Sequence, residues 1–205
     1  NALSESTRPK TNNKRTLDVA PNMGEMVKPA ELIEVKGASR LTLADRRLFN
    51  VLLRHAFGPD LASEGRRFEI AVADLRETHE SNDRLVQLLG WNNLSDPKRK
   101  RGNLKYSIPP ELALLLKDST VFAKLELEVL RAFTSKYALA LYEAVARRVR
   151  LKHVFTERFA LDDFRELLGV EPGKLETFGN LNQYAIKPAL LEVNALSDFT
   201  VTVMP

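Results

Sequence analysis

The last third of the chain narrows the choice of fold more than any other stretch. Three segments follow one another there: TSKYALALYEAVARRVRLKH (134–153), RFALDDFRELLGV (158–170) and GNLNQYAIKPALLEVNALSDFTVTV (179–203). In the first, Tyr137, Leu141, Ala144, Val145 and Arg148 fall along one side of a helix. The second opens with a short strand at Arg158 and passes into a compact helix. Asp162 and Asp163 sit in the first turn of that helix, where they offset its dipole, and Gly169 stops it. The third reads as a helix followed by a strand. This order of elements is that of a winged helix, a fold that sets one helix edge against a nucleic-acid groove.

The same plan occurs earlier in the chain. LFNVLLRH (48–55) matches LYEAVARR (141–148), and RFEIAVADLRE (67–77) is echoed by RFALDDFRE (158–166). Two echoes in the same order indicate two copies of one domain plan. The chain is therefore expected to be α+β and mainly helical, with two tandem winged-helix domains carrying short β-hairpin wings. Residues 1–26 form a flexible basic tail, 27–117 the N-terminal domain and 118–205 the C-terminal domain, the seam falling near Lys117–Ser119.

Within the first domain, folded structure should begin near Pro29–Val35. LTLADRRLFNVLLRHAF (41–57) has helical spacing, with Thr42 as N-cap and Asp45 completing a capping box. RRFEI (66–70) predicts a strand and VADLRETH (72–79) a short helix. VQLLGW (86–91) and NLKYSIP (103–109) predict two strands joined by a basic segment, and PPELALLL (109–116) a helix opened by proline. SNDRL (81–85) starts as a helix and runs directly into a strand, which suggests that residues are missing near 84–87.

With 205 residues, 44% of them hydrophobic and 28% charged, the chain has the make-up of an ordinary globular protein with room for one or two cores. It has no apolar run of membrane-spanning length, no signal-peptide pattern at its start and no cysteine. An intracellular protein is the plain reading of this composition. The net charge of +4 permits a nucleic-acid partner, and its distribution is more telling. Arg131, Lys136, Arg147, Arg148, Arg150 and Lys152 are accompanied by one acid, Glu143, while Lys98, Arg99, Lys100 and Arg101 form a second cluster.

These patches supply the candidate phosphate contacts: Ser135, Lys136, Arg147, Arg148, Lys152, Lys174, Lys98, Arg99, Lys100 and Arg101. Ser135 and Lys136 lead, because backbone N–H groups and the positive dipole end also favour phosphate at a helix start. EPGKLETFG (171–179) is the turn before the next helix. Past it, Asn180, Asn182, Gln183 and Lys187 precede or flank a buried stripe of Ile186, Ala189, Leu190, Val193 and Leu196. Asn and Gln pair bidentately with adenine and Lys reaches guanine or phosphate, so this edge is the candidate base reader. Asn180 reads equally well as an N-cap. Pro188 removes one hydrogen bond and should kink the helix near Tyr184.

SKYALALYEAVARR, FALDDFRELLGV and LNQYAIKPALLEVNALSDFTV resemble the iteron-binding plasmid replication initiator (Rep) proteins. The C-terminal domain of that family carries a SKYALxLYE helix, a LDDLRxLLGV helix and a LKPALxEVN recognition helix, the last appearing here from Ile186 to Asn194. LTLADRRLFNVLLRHA, SNDRL and GNLKYSIPPELALLL are similar to the family's first domain, so the likeness spans roughly Val27 to Pro205. The resemblance implies a DNA-binding initiator that is not an enzyme and needs no cofactor or metal. It would bind repeated double-stranded sites in the major groove, promote origin opening and recruit host replication proteins such as a helicase or initiator. It implies also a homodimer through the N-terminal domain that represses its own promoter. The family usually has a helix where SNDRL meets VQLLGW, and here Val201–Pro205 falls within the first strand of the second wing, so that hairpin is incomplete. The resemblance also implies a cytoplasmic bacterial protein associated with nucleoid or plasmid.

Two other functions are weighed beside this one. A winged-helix transcriptional repressor shares all the DNA-binding features. A tyrosine-dependent nicking enzyme needs a metal site, usually paired histidines, beside its nucleophile. His55, His79 and His153 are scattered, and Tyr106, Tyr137, Tyr142 and Tyr184 each fit packing positions.

Overall fold

The computed structural model describes residues 14–34, 37–78, 89, 91–94, 102–149 and 156–204. In chain order these form β1 (Glu25–Pro29), α1 (Ala30–Ile33), α2 (Leu43–Ala56), β2 (Phe68–Ala71), β3 (Trp91–Leu94), β4 (Asn103–Ser107) and α3 (Pro110–Lys117). They continue with β5 (Phe122–Glu126), α4 (Leu127–Ala132), α5 (Lys136–Val149), α6 (Leu161–Leu168), α7 (Phe178–Leu181) and α8 (Lys187–Leu196). Short 3-10 turns occupy Thr16–Asp18, Ala38–Arg40, Pro59–Ala62 and Val72–Thr78.

Helix α2 starts where its sequence says it should. Thr42 Oγ1 accepts from the Asp45 N–H at 3.2 Å, and the Asp45 carboxylate accepts from the Thr42 N–H at 2.8 Å, closing the capping box. Antiparallel β2, β4 and β3 form one sheet in that order, so β3 and β4 make the expected hairpin. Its first strand runs over Trp91–Leu94, later than the expected 86–91, of which 86–88 and 90 lie outside the described residues. The short helix expected at 72–79 forms as a 3-10 helix over Val72–Thr78.

The larger departure is at the start. Folded structure begins before Pro29, so the tail expected through residue 26 is corrected for residues 14–26; residues 1–13 lie outside the described residues. Thr16 and Leu17 are buried, and the Thr16 N–H donates to the Ser119 carbonyl at 2.7 Å. Strand β1 pairs antiparallel with β5, Glu25 opposite Glu126 and Pro29 opposite Phe122. The seam expected near Lys117–Ser119 runs between α3 and β5, and this strand pair joins the chain across it.

Helix α5 lies at the centre. It packs against β5, α1 and α2, and also against α6 and α8. An amphipathic helix with one core face was expected, but nearly every residue from Ala138 to Ala146 is buried, as befits a helix surrounded by its neighbours. One hydrophobic cluster runs from Leu52 of α2 through Leu139 and Leu141 of α5 to Leu168, Ile186 and Ala189. Inside it, the Lys28 ammonium of β1 donates to Glu143 Oε1 of α5 at 2.8 Å and to Asn50 Oδ1 of α2 at 2.9 Å. The Asn50 amide donates to Glu143 at 2.8 Å. Burial holds the Lys28 pKa below its ordinary value even with Glu143 beside it.

Two strands expected in the last third do not form. Residues 156–160 have no strand partner among the described residues. Phe159 instead lies under the Arg148 guanidinium, 5.1 Å from ring centroid to charge, and tilts against Phe164 at 5.7 Å. Residues 200–204 likewise carry no ladder. The Asn194 side chain holds this segment, donating from Nδ2 to the Val201 carbonyl at 3.0 Å and accepting the Val201 N–H at 2.8 Å. One amide thus offers the donor and acceptor that a neighbouring strand would present. Among the described residues, no helix is long and apolar enough to cross a membrane.

Candidate nucleic-acid interface

Helix α6 ends at Gly169, whose φ of 76° belongs to the left-handed region. The Val170 N–H returns to the Arg165 carbonyl at 3.0 Å, closing the helix end with a Schellman bond. A Cβ at residue 169 would lie 2.5 Å from Arg46 Nη2, the far end of a flexible side chain that can shift, so the left-handed backbone is what calls for glycine here. The turn that follows is fastened to α6 by Arg165, which donates to the Lys174 carbonyl at 3.2 Å and to the Glu176 carbonyl.

Past this turn the chain is helical from Phe178 to Leu196, in three registers: α7, a π-helical turn over Asn182–Ile186, and α8. The interruption expected near Tyr184 therefore takes a defined form. Pro188 has no N–H for the Tyr184 carbonyl, and its ring would crowd that carbonyl in a regular helix. The wider turn, with the Lys187 N–H reaching back to the Asn182 carbonyl, accommodates it.

Thr177 caps this helix, its Oγ1 accepting from the Asn180 N–H at 3.2 Å. That decides between the two readings of Asn180 as far as the cap is concerned: its side chain is not the cap and stands exposed. Leu181, Ala185, Ile186, Ala189 and Val193 face inward. Of the stripe expected from sequence, Leu190 is half-buried and Leu196 exposed. Gln183 and Lys187 are exposed and Asn182 is half-buried. The far end of α8 is anchored by Glu192, which accepts from the Thr134 N–H at 2.7 Å and its hydroxyl at 2.9 Å, just before α5 begins.

The sequence-derived phosphate candidates divide differently. Ser135 Oγ accepts from the Tyr137 N–H at 3.1 Å. Lys136 donates to the Ser39 carbonyl at 2.9 Å and lies 3.5 Å from Glu171. Arg147 pairs with Glu34, and Arg148 with both Glu34, at 3.1 Å, and Glu157. The Arg148 hydrogen bond is the main reason the Glu157 carboxyl is held below its ordinary value. Three expected phosphate ligands, Lys136, Arg147 and Arg148, thus tie the helix to other segments of its own chain, while Ser135 bonds within the first turn. Lys174 is exposed, and Lys98, Arg99, Lys100, Arg101 and Lys152 lie outside the described residues.

Tyr184 was expected to be a packing residue, yet it is 58% exposed beside Gln183 and Lys187. Its spacing of four from Asn180 was the available signal, since residues four apart are neighbours on a helix surface. Among the described residues, no group of three or more His, Cys, Asp or Glu is placed to hold a metal ion.

A helix, a fastened turn and a second helix with an exposed polar edge, preceded by a unit with its own sheet, define a tandem winged-helix protein. The family model described as "Initiator Replication protein, WH1" matches residues 25–146, and that described as "Initiator Rep protein, WH2" matches residues 160–205. The chain belongs to this replication-initiator family. It is 27% identical over 161 residues to a "Replication initiation protein" of Escherichia coli, an alignment covering 77% of this chain and 48% of that protein. The chain thus spans about half the length of this curated relative. Its fold is also similar to that of the Pi initiator protein solved in complex with iteron DNA, with a TM-score of 0.56 and 14% identity over 87% of this chain and 88% of that one.

Proposed function

We propose that this chain binds repeated double-stranded origin sequences as a plasmid replication initiator. The observation that carries this reading is the exposed edge of the Phe178–Leu196 helix. Asn180, Gln183, Tyr184 and Lys187 make no side-chain hydrogen bond or ion pair among the described residues. They sit on a scaffold fixed at both ends by Arg165 and Glu192. Polar groups held rigidly without partners of their own are what a base-reading surface requires. The iteron DNA in the complex of the Pi initiator supports the substrate class.

In this reading Lys174 and the basic segment Lys98–Arg101 neutralise phosphates, the N-terminal unit supplies the dimer contact, and host replication proteins carry out the chemistry that follows. Autorepression by the dimer belongs to the same proposal. The test is selection from a random duplex library with the full chain. Enrichment of one motif, with the logarithm of affinity falling linearly with the logarithm of salt concentration, is expected. Equal retention of all sequences would remove the base-reading edge from the proposal.

A further inference from the structure

The large apolar residue that stands out most on this helix is Leu191, which is 74% exposed. A single exposed leucine is commonplace. What distinguishes this one is its position. The buried residues Leu181, Ala185, Ala189 and Val193 recur every four positions, and so do Gln183, Lys187 and Leu191 on the outside. In a regular α-helix a row of such spacing drifts around the axis, because four residues turn through more than a full circle. The π turn at 182–186 advances less per residue and drifts the other way. The two effects offset each other, so the outer row stays opposite the buried one and runs nearly straight along the helix.

We infer that Leu191 is a sequence-reading residue that contacts the C5 methyl group of a thymine in the major groove, in line with Gln183 and Lys187. The inference rests on the proposed DNA-reading function. Thymine's methyl is the one apolar feature on the major-groove edges of the four bases, and an aliphatic side chain is its complement. Lys187 lies one turn away in the same row and draws this surface toward a polyanion, which favours DNA over an apolar protein partner. Eight residues of helix span about 12 Å, and stacked bases repeat about every 3.4 Å. The thymine is therefore expected within about four base pairs of the base read by Gln183, for which adenine is the matching partner.

The experiment starts from the motif enriched by the full chain. Each thymine in it is replaced singly by deoxyuridine, which lacks only the methyl group. At one or two positions the wild-type protein is expected to lose about fourfold in affinity, the factor for one methyl-sized group. Leu191→Ala should bind the thymine and uracil duplexes alike at those positions, while Leu191→Met retains the discrimination. If a motif is enriched but wild type and Leu191→Ala respond identically to every replacement, the role of Leu191 is overturned and the DNA-reading function stands. If no motif is enriched, both fall.

Discussion

Helix α5 and the helix from Phe178 to Leu196 both carry polar and basic side chains, and they use them in opposite ways. On α5, Lys136, Arg147 and Arg148 reach Ser39, Glu171, Glu34 and Glu157, and Glu143 is buried against Lys28 and Asn50. On the later helix, Asn180, Gln183, Tyr184 and Lys187 remain exposed while its apolar side is packed against α5. The same residue types therefore serve cohesion in one place and an outward surface in the other. Burial and partners, not charge content, decide which.

The comparison can be broken most severely at Glu143. Replacing it with alanine leaves the Lys28 ammonium buried without its carboxylate, and such losses cost about 3–5 kcal/mol. Chemical denaturation would read this out, and a change under about 1 kcal/mol would show that α5 does not depend on the cluster. The pH dependence has a definite sign. The folded pKa of Lys28 already lies below the ordinary 10.5, so between those values the unfolded chain binds more protons and stability rises with pH. Without Glu143 that window reaches lower, and the deficit of the variant should shrink as pH rises toward 10.5.

On the outward helix the effect should move from stability to binding. Gln183→Ala and Lys187→Ala are each expected to weaken specific DNA binding by about 1–3 kcal/mol while leaving the melting temperature unchanged. Gel-shift titration alongside thermal melts separates the two. A lowered melting temperature with unaltered affinity would place both residues with those of α5.

A smaller contrast lies at the start of the same helix. Thr177→Ala should cost about 1 kcal/mol of stability through loss of the cap, whereas Asn180→Ala should stay within about 0.5 kcal/mol. The reverse order would make Asn180 a structural residue after all. The slightest effect concerns Arg148. The Glu157 carboxyl is expected to titrate below 4.5 and to move back up in Arg148→Met, as followed by NMR. Because its folded pKa is depressed, the pair contributes stability above the unfolded value and loses it as pH falls through the folded one. An unmoved titration would mean that the two groups are not paired.

Local chemistry was legible in the sequence, and long-range pairing was not. The Thr42–Asp45 capping box, the stop at Gly169 and the order of the β3–β4 hairpin follow from residues a few positions apart. The repeated plan was legible too, with helix α2 and helix α5 at the matched positions. By contrast, nothing in RFA at 158–160 reveals that it has no strand partner among the described residues, and nothing near Arg147 points to Glu34, more than a hundred positions earlier. A cation seen without its partner reads as available. The exposed edge was found because its polar residues surround an apolar stripe. Tyr184 was missed because tyrosine suits core and surface equally, and because Pro188 announces an irregularity without saying how the backbone will accommodate it.

The pairing of β1 with β5 also shapes how this protein comes into being. The two strands lie roughly a hundred residues apart in the chain, and ribosomes add about 5–20 residues per second. Met26 and Val27, both fully enclosed in the finished molecule, therefore leave the ribosome on the order of 5–20 s before the strand that covers them. For that interval the growing polypeptide presents a bare, unpaired β-edge. The central helix begins only ten positions after β5 ends, so closure of the strand pair and docking of the helix fall close together in time.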